Sequence, residues 1–172
     1  MQKVVLVGYM GSGKSIIGKL LSEKTELTFL DLDEIIEQIE NCTIKSIFET
    51  KGEIYFRKIE QSIFKELIQN KNSFILSLGG GTPCYANNHE LLKNEDVISI
   101  YLKASINTLY NRLILEKSKR PILADKSELE LKEFIAKHLF DRSFYYNQSK
   151  FKINVNNKLA DDIIVEIVKI LA

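Results

Sequence analysis

Gly8-Tyr9-Met10-Gly11-Ser12-Gly13-Lys14-Ser15 lies between the apolar run Val4-Val5-Leu6-Val7 and the amphipathic stretch Lys14 to Lys24. The pattern G-x-x-x-x-G-K-[ST], flanked by a strand before and a helix after, is that of a phosphate-binding loop. Its glycines let successive backbone N–H groups turn inward around phosphate oxygens. The helix N-terminus adds partial positive charge. Lys14 is placed to reach the β- and γ-phosphates and Ser15 to hold Mg²⁺. The alternative, a glycine turn that binds nothing, does not account for both flanks.

Outward from this loop, short apolar runs alternate with helical patterns. Thr28-Phe29-Leu30, Phe74-Ile75-Leu76, Val97 to Leu102 and Phe151 to Val155 read as four further strands. Between them, Phe56, Ile59, Ile63 and Leu67 recur at helical spacing, as do Ala160, Ile163, Ile167 and Leu171. Strands apolar on both faces and separated by helices predict an α/β fold, a parallel sheet covered on both sides in three layers. No repeat, low-complexity tract or linker divides the chain, so residues 1–172 are expected to form one domain. In such sheets ligands bind at the carboxyl ends of the strands.

The 172 residues carry 24 basic and 23 acidic side chains, a net charge of +1. Nothing global points to nucleic acid or a membrane, and no apolar run is long enough to span one. Cys42 and Cys84 lack metal-type spacing and read as free thiols of a cytoplasmic protein. His89 and His138 read as surface or helix residues rather than ligands. Lys accounts for 20 of the 24 basic residues; only Arg57, Arg112, Arg120 and Arg142 are Arg. Those four are candidates for places that need a planar fork. Six of the eight glycines fall in the phosphate loop and at Gly79-Gly80-Gly81. Three in a row suggest close approach of backbone to a ligand, with a flexible turn as the alternative.

The acceptor side is read from what surrounds that loop. Asp31 and Asp33, ending the second strand, could divide metal binding and proton acceptance, although one of them could instead cap the helix expected to begin at Glu34. Arg57 lies one helical turn from both Glu53 and Glu60. Spacing alone favours a surface ion pair over a carboxylate-binding fork positioned by Glu60. Arg142 is uninformative alone. Arg120 precedes Pro121 in a polar segment and reads as a lid residue.

GYMGSGKS at 8–15, DLD at 31–33, GEIYFRKIE at 52–60, LGGGTP at 78–83, RPIL at 120–123 and RSFYY at 142–146, in that order, resemble the shikimate kinase family across essentially the whole chain. The resemblance implies a nucleoside-monophosphate-kinase-like fold with a five-stranded parallel sheet, a substrate-binding helical region at about 32–60 and a mobile lid at about 112–126. It implies that ATP phosphorylates the 3-hydroxyl of shikimate, in aromatic amino-acid biosynthesis, with Mg²⁺ as cofactor and a monomeric, cytoplasmic enzyme. Lys14, Asp33 and Arg120 would then be catalytic, Asp33 as base. Gly11, Ser12, Gly13, Lys14, Ser15, Ile16 and Arg120 would bind the nucleotide; Ile16 stands where the family commonly has Thr. Asp33, Arg57, Gly80 and Arg142 would hold shikimate, the two arginines through its carboxylate. Ser15 and Asp31 would hold Mg²⁺. Phe48 and Phe56 match positions lining the substrate pocket, and Ser77 stands where many related proteins carry an acid. The resemblance leaves open whether Arg112, Lys117 or the loop Asn156-Asn157-Lys158 meets adenine. A gluconate-type or other small-molecule kinase would share the phosphate loop without needing the Arg57–Arg142 pair. A GTP-binding switch would need an N-K-x-D motif, which is absent.

Overall fold

The computed structural model describes residues 2–116 and 125–172. Five parallel strands form one sheet: β1 (Lys3–Val7), β2 (Thr28–Asp31), β3 (Phe74–Ser77), β4 (Val97–Lys103) and β5 (Phe151–Asn154), in the order β2-β3-β1-β4-β5. Register pairs Val5 with Leu76 on one side and with Ser99 on the other. All of β1 and β3 is buried, so both faces of the sheet centre are covered. The edge strands are less covered: β2 is half-buried and β5 is exposed except at Ile153. Lys3, first in β1, is itself buried, and its ammonium pairs with Asp96 and donates to the Ile68 carbonyl.

Among the described residues, seven helices connect and cover the strands: α1 (Lys14–Thr25), α2 (Leu32–Glu40), α3 (Ile44–Gln69), α4 (Asn88–Leu91), α5 (Ile106–Leu115), α6 (Glu128–Tyr146) and α7 (Ala160–Leu171). Helix α1 lies against β2, β3 and α7, while α5 packs on α6. Its small residue Gly18 faces Phe29 so closely that a methyl group there would sit 2.2 Å from the ring. Helix α6 starts with a capping box in which the Ser127 and Glu130 side chains satisfy each other's backbone N–H groups.

Two boundaries differ from the sequence reading. Helix α2 begins at Leu32, not Glu34, because Asp31 is its cap: the carboxylate accepts from the Asp33 N–H at 3.0 Å. Helix α3 is broken at Gly52, whose φ of 82° and ψ of 168° are not helical. That conformation is essentially restricted to glycine. The stretch through Arg57 and Glu60 therefore starts a new helical direction. Phe48, before the break, packs its ring at a tilt against that of Phe56, after it, at 4.7 Å between centroids.

The strand order reverses around β1: β2 and β3 are laid to one side, β4 and β5 to the other. The carboxyl end of β1 is thus the point where a crevice opens in such sheets, and the glycine-rich loop at 8–13 occupies it.

Candidate active site

A cleft of about 650 Å³ runs over the carboxyl ends of the strands, within the range of small-molecule sites. The loop from Met10 through Ile17 forms one wall; Asp31, Asp33 and Ser77 to Gly80 line another. All motifs quoted from the described residues lie along this end of the sheet.

Gly8, Gly11 and Gly13 all have positive φ, up to 157°. Gly8 also leaves no room for a side chain, since a methyl group there would lie 2.6 Å from Ser12 Oγ. The loop is therefore shaped by its glycines, with Gly13 at the N-cap of α1 offering no side chain that would compete for the exposed N–H groups. Lys14 folds back over the loop, its ammonium donating to the carbonyls of Gly8 (2.7 Å) and Tyr9 (3.1 Å). Ser15 donates to Asp31 Oδ2 at 3.3 Å. Asp31 thus caps α2 with one oxygen and meets Ser15 with the other.

Asp33, in the first turn of α2, is left for other work. Burial first, then the negative charges of Asp31 and Glu60, raise its carboxyl to about 6, against the opposing pull of Lys14. A methyl group on Gly79 would come within 3.1 Å of the Asp33 carboxylate.

Spacing favoured a surface ion pair for Arg57, and the structure corrects this. Arg57 is 17% exposed and Glu60 only 1%. Glu60 accepts from Arg57 Nη1 at 2.8 Å and from Thr82 Oγ1 at 2.7 Å, so one buried carboxylate holds both the fork and the start of the 3₁₀ turn Thr82–Cys84. The guanidinium lies over the Tyr85 ring at 3.9 Å and 5.0 Å from Phe56. Glu53 approaches Nε at 3.5 Å but is itself half exposed, and Nε makes no hydrogen bond among the described residues. Arg142 reaches the same loop from α6. A methyl group on Gly80 would lie 3.3 Å from its Nη1, and one on Gly81 only 2.8 Å from Arg57 Nη2. Both cations also bear on the Cys84 thiol, which burial nevertheless pushes up to about 11. The run of three glycines is thus a backbone strip threaded between two guanidiniums and two carboxylates.

At the other end of the cleft, Arg112 donates to the carbonyls of Gly11 (3.1 Å) and Ser12 (3.2 Å), and lines the cleft with Leu115 and Lys158. Asn156 is used differently: its side chain accepts from the Ser105 N–H. Ile16 lines the cleft and is exposed. Arg120 and Lys117, with most of the expected lid, lie outside the described residues. Among the described residues no helix is long and apolar enough to cross a membrane, and Cys42 and Cys84 are unbridged.

Sequence reasoning passed over the support of this site. Tyr146, buried on α6, donates to the Gly80 carbonyl at 2.6 Å. Asn88 Nδ2 donates to the Thr82 carbonyl. Tyr9 shares a hydrogen bond with His138. His138, Arg142 and Tyr146 recur every fourth residue on α6, a signal visible in the sequence once Arg142 is singled out. His89 is a helix residue, on α4, with its ring against Phe144 and Tyr145.

Residues 10–172 match the family model described as Shikimate kinase. A shikimate kinase of Flavobacterium johnsoniae is 59% identical over 172 residues, covering all of both chains. The crystal structure of shikimate kinase from Bacteroides thetaiotaomicron superposes with a TM-score of 0.90 at 31% identity, over 99% of this chain and 98% of that one. Shikimate kinase from Acinetobacter baumannii in complex with shikimate gives 0.85 at 31% identity, over 99% and 93%.

Proposed function

This chain belongs to the shikimate kinase family, and we infer that it transfers the γ-phosphoryl group of ATP to the 3-hydroxyl of shikimate, giving shikimate 3-phosphate and ADP. The observation that carries the substrate side is the meeting of Arg57 and Arg142 around Gly80-Gly81, beside Asp33 and across from the phosphate loop. A gluconate-type kinase has no need of two guanidiniums directed at one strip of backbone.

In this reading the loop N–H groups and Lys14 take the β- and γ-phosphates, for which Lys14 gives up its contacts with Gly8 and Tyr9. Arg57 offers the edge carrying Nε and Nη2 to the shikimate carboxylate, since Nη1 is committed to Glu60. Arg142 offers a second cation, and Gly80 lets the substrate approach the backbone. The 3-hydroxyl oxygen bonds to the γ-phosphorus as the bond to the β–γ bridging oxygen breaks. The hydroxyl proton passes to the Asp33 carboxylate, whose raised pKa makes it a better acceptor than an ordinary aspartate. Most of the acceleration comes from positioning and charge stabilisation.

Ser15 and Asp31 present adjacent hard oxygens, the donor type Mg²⁺ takes. They would hold it together with the nucleotide phosphates, and when bound it neutralises phosphate charge. Arg112, Leu115 and Lys158 would border the base. Arg120, carried over from the family pattern, is assigned to the phosphates; Arg120→Ala should lower kcat by orders of magnitude in single-turnover experiments while shikimate binding without nucleotide is kept. A cytoplasmic monomer is carried over from the family pattern, and the two unbridged thiols fit a reducing compartment.

The test of the whole reading is a coupled ADP-release assay with MgATP against shikimate, gluconate and nucleoside monophosphates. Turnover with shikimate is expected; turnover only with another acceptor overturns it.

A further inference from the structure

Tyr9 is the one bulky side chain buried within the phosphate loop, at 1% exposure. Its backbone carbonyl accepts from the Ser12 N–H at 3.1 Å and from the Lys14 ammonium at 3.1 Å. Its hydroxyl meets His138 Nδ1 at 2.8 Å, across 129 residues of sequence. Its ring lies 5.7 Å from the Arg142 guanidinium, within range of a cation–π contact. His138 is in turn packed on Phe134, with ring centroids 4.2 Å apart.

His138, Arg142 and Tyr146 are spaced by four and stack along one face of α6 over about 12 Å. Each touches a different part of the site. His138 holds Tyr9 of the phosphate loop, Arg142 faces Gly80, and Tyr146 holds the Gly80 carbonyl. One rigid face thus contacts both anion-binding loops.

We propose that His138 is a positioning residue for phosphoryl transfer: its hydrogen bond to Tyr9 fixes the phosphate loop relative to the helix that carries Arg142, so that the nucleotide and acceptor sites keep one spacing. The proposal rests on the kinase reading above. In-line transfer needs the attacking oxygen close to the phosphorus and aligned with it, so a small change in spacing lowers the rate without abolishing either binding site. Burial and the neighbouring Arg142 hold the His138 imidazole below its usual range, with Lys137 and Lys126 acting the same way and Asp141 opposing them. The ring is therefore neutral near pH 7, and the Tyr9 hydroxyl can donate to its Nδ1.

The experiment compares wild type with Tyr9→Phe, His138→Leu, the double variant and His138→Asn, whose side-chain oxygen falls where Nδ1 stands. Steady-state kinetics with shikimate and MgATP are run beside thermal melts. For Tyr9→Phe and His138→Leu, kcat should fall about three- to tenfold, the range of one lost hydrogen bond, with both KM values within about twofold. The double variant should be no worse than the poorer single one, because both remove the same contact. His138→Asn should recover most of kcat. Tyr9→Phe loses a single oxygen, so it keeps the test open if His138→Leu fails to fold. Unchanged kcat in folded variants, or losses that multiply in the double variant, overturn the proposal. Lowered melting temperatures with wild-type kcat reduce the contact to a structural one and also overturn it. A wild-type enzyme that does not phosphorylate shikimate overturns the functional reading instead.

Discussion

The two walls of the cleft are set up to take anions by opposite means. The phosphate loop offers backbone N–H groups and a helix end, with one mobile ammonium that rests on the loop's own carbonyls. The acceptor side offers two side-chain guanidiniums, one of them braced by the buried Glu60 and stacked on rings. A site made of backbone is fixed by where the chain can turn, and few side chains decide it. A site made of buried charges depends on every member being paired, because an unpaired buried charge is strongly destabilising. Substitutions should therefore act diffusely on the first wall and selectively on the second.

The largest effect is expected at the carboxylate that lies between the walls. Asp33→Asn keeps the shape but removes the proton acceptor, and kcat should fall by about 10²-fold or more. Stopped-flow or quenched-flow transfer rates measure it; a near-normal rate would assign Asp33 to the wall rather than to the chemistry. Next come the forks. Arg57→Lys and Arg142→Lys should each raise the shikimate KM by about tenfold or more and leave ADP affinity, measured by titration, within about twofold. Equal losses for both ligands would erase the division between the walls. Gly81→Ala should act like a weak version of Arg57→Lys, since the added methyl group displaces Nη2. Glu53→Ala should change the shikimate KM by less than about fivefold, because a half-exposed ion pair is worth at most about 1 kcal/mol.

The last effect is thermodynamic and has the opposite sign. The Asp33 carboxyl is raised in the fold to about 6 from an ordinary 3.8. Between those values the native state binds more protons than the unfolded chain, so its contribution to stability falls as pH rises. Without nucleotide or metal, Asp33→Asn should therefore be more stable than wild type at pH 7.5 by about 1–2 kcal/mol, a few degrees in Tm. The difference should vanish near pH 3.5. Melts at the two pH values check it, and equal Tm at pH 7.5 would mean the charge is fully compensated in the folded protein.

The first wall is legible from local spacing, whereas the second is legible only through the family resemblance, for a physical reason. Val4 to Ser15 is contiguous, so strand, turn and helix can be read from local constraints. Arg57 was ambiguous because Glu53 and Glu60 are equivalent in spacing, and only burial separates an exposed partner from one that is 1% exposed. The start of α2 was misplaced because Asp31 and Asp33 are both good caps, and the choice follows from Asp31 ending a paired strand. Arg112 stayed undecided among adenine contacts because its main hydrogen bonds run to carbonyls 100 and 101 residues away. The Tyr9–His138 contact is equally remote.

The break at Gly52 gives α3 a property that a straight helix lacks. Residues on its two sides are not held to one helical phase, so Phe48 and the Arg57–Glu60 segment are aimed independently by the two arms. Gly52 has open space where a side chain would go, so packing does not demand glycine there; the backbone angle does. Any other residue would favour a continuous rod, and the natural consequence would be to rotate Phe48 away from its contact with Phe56 while leaving every charged residue of the site in the sequence. Specificity for the acceptor would then be lost through the hinge of a lever whose tip chemistry is untouched.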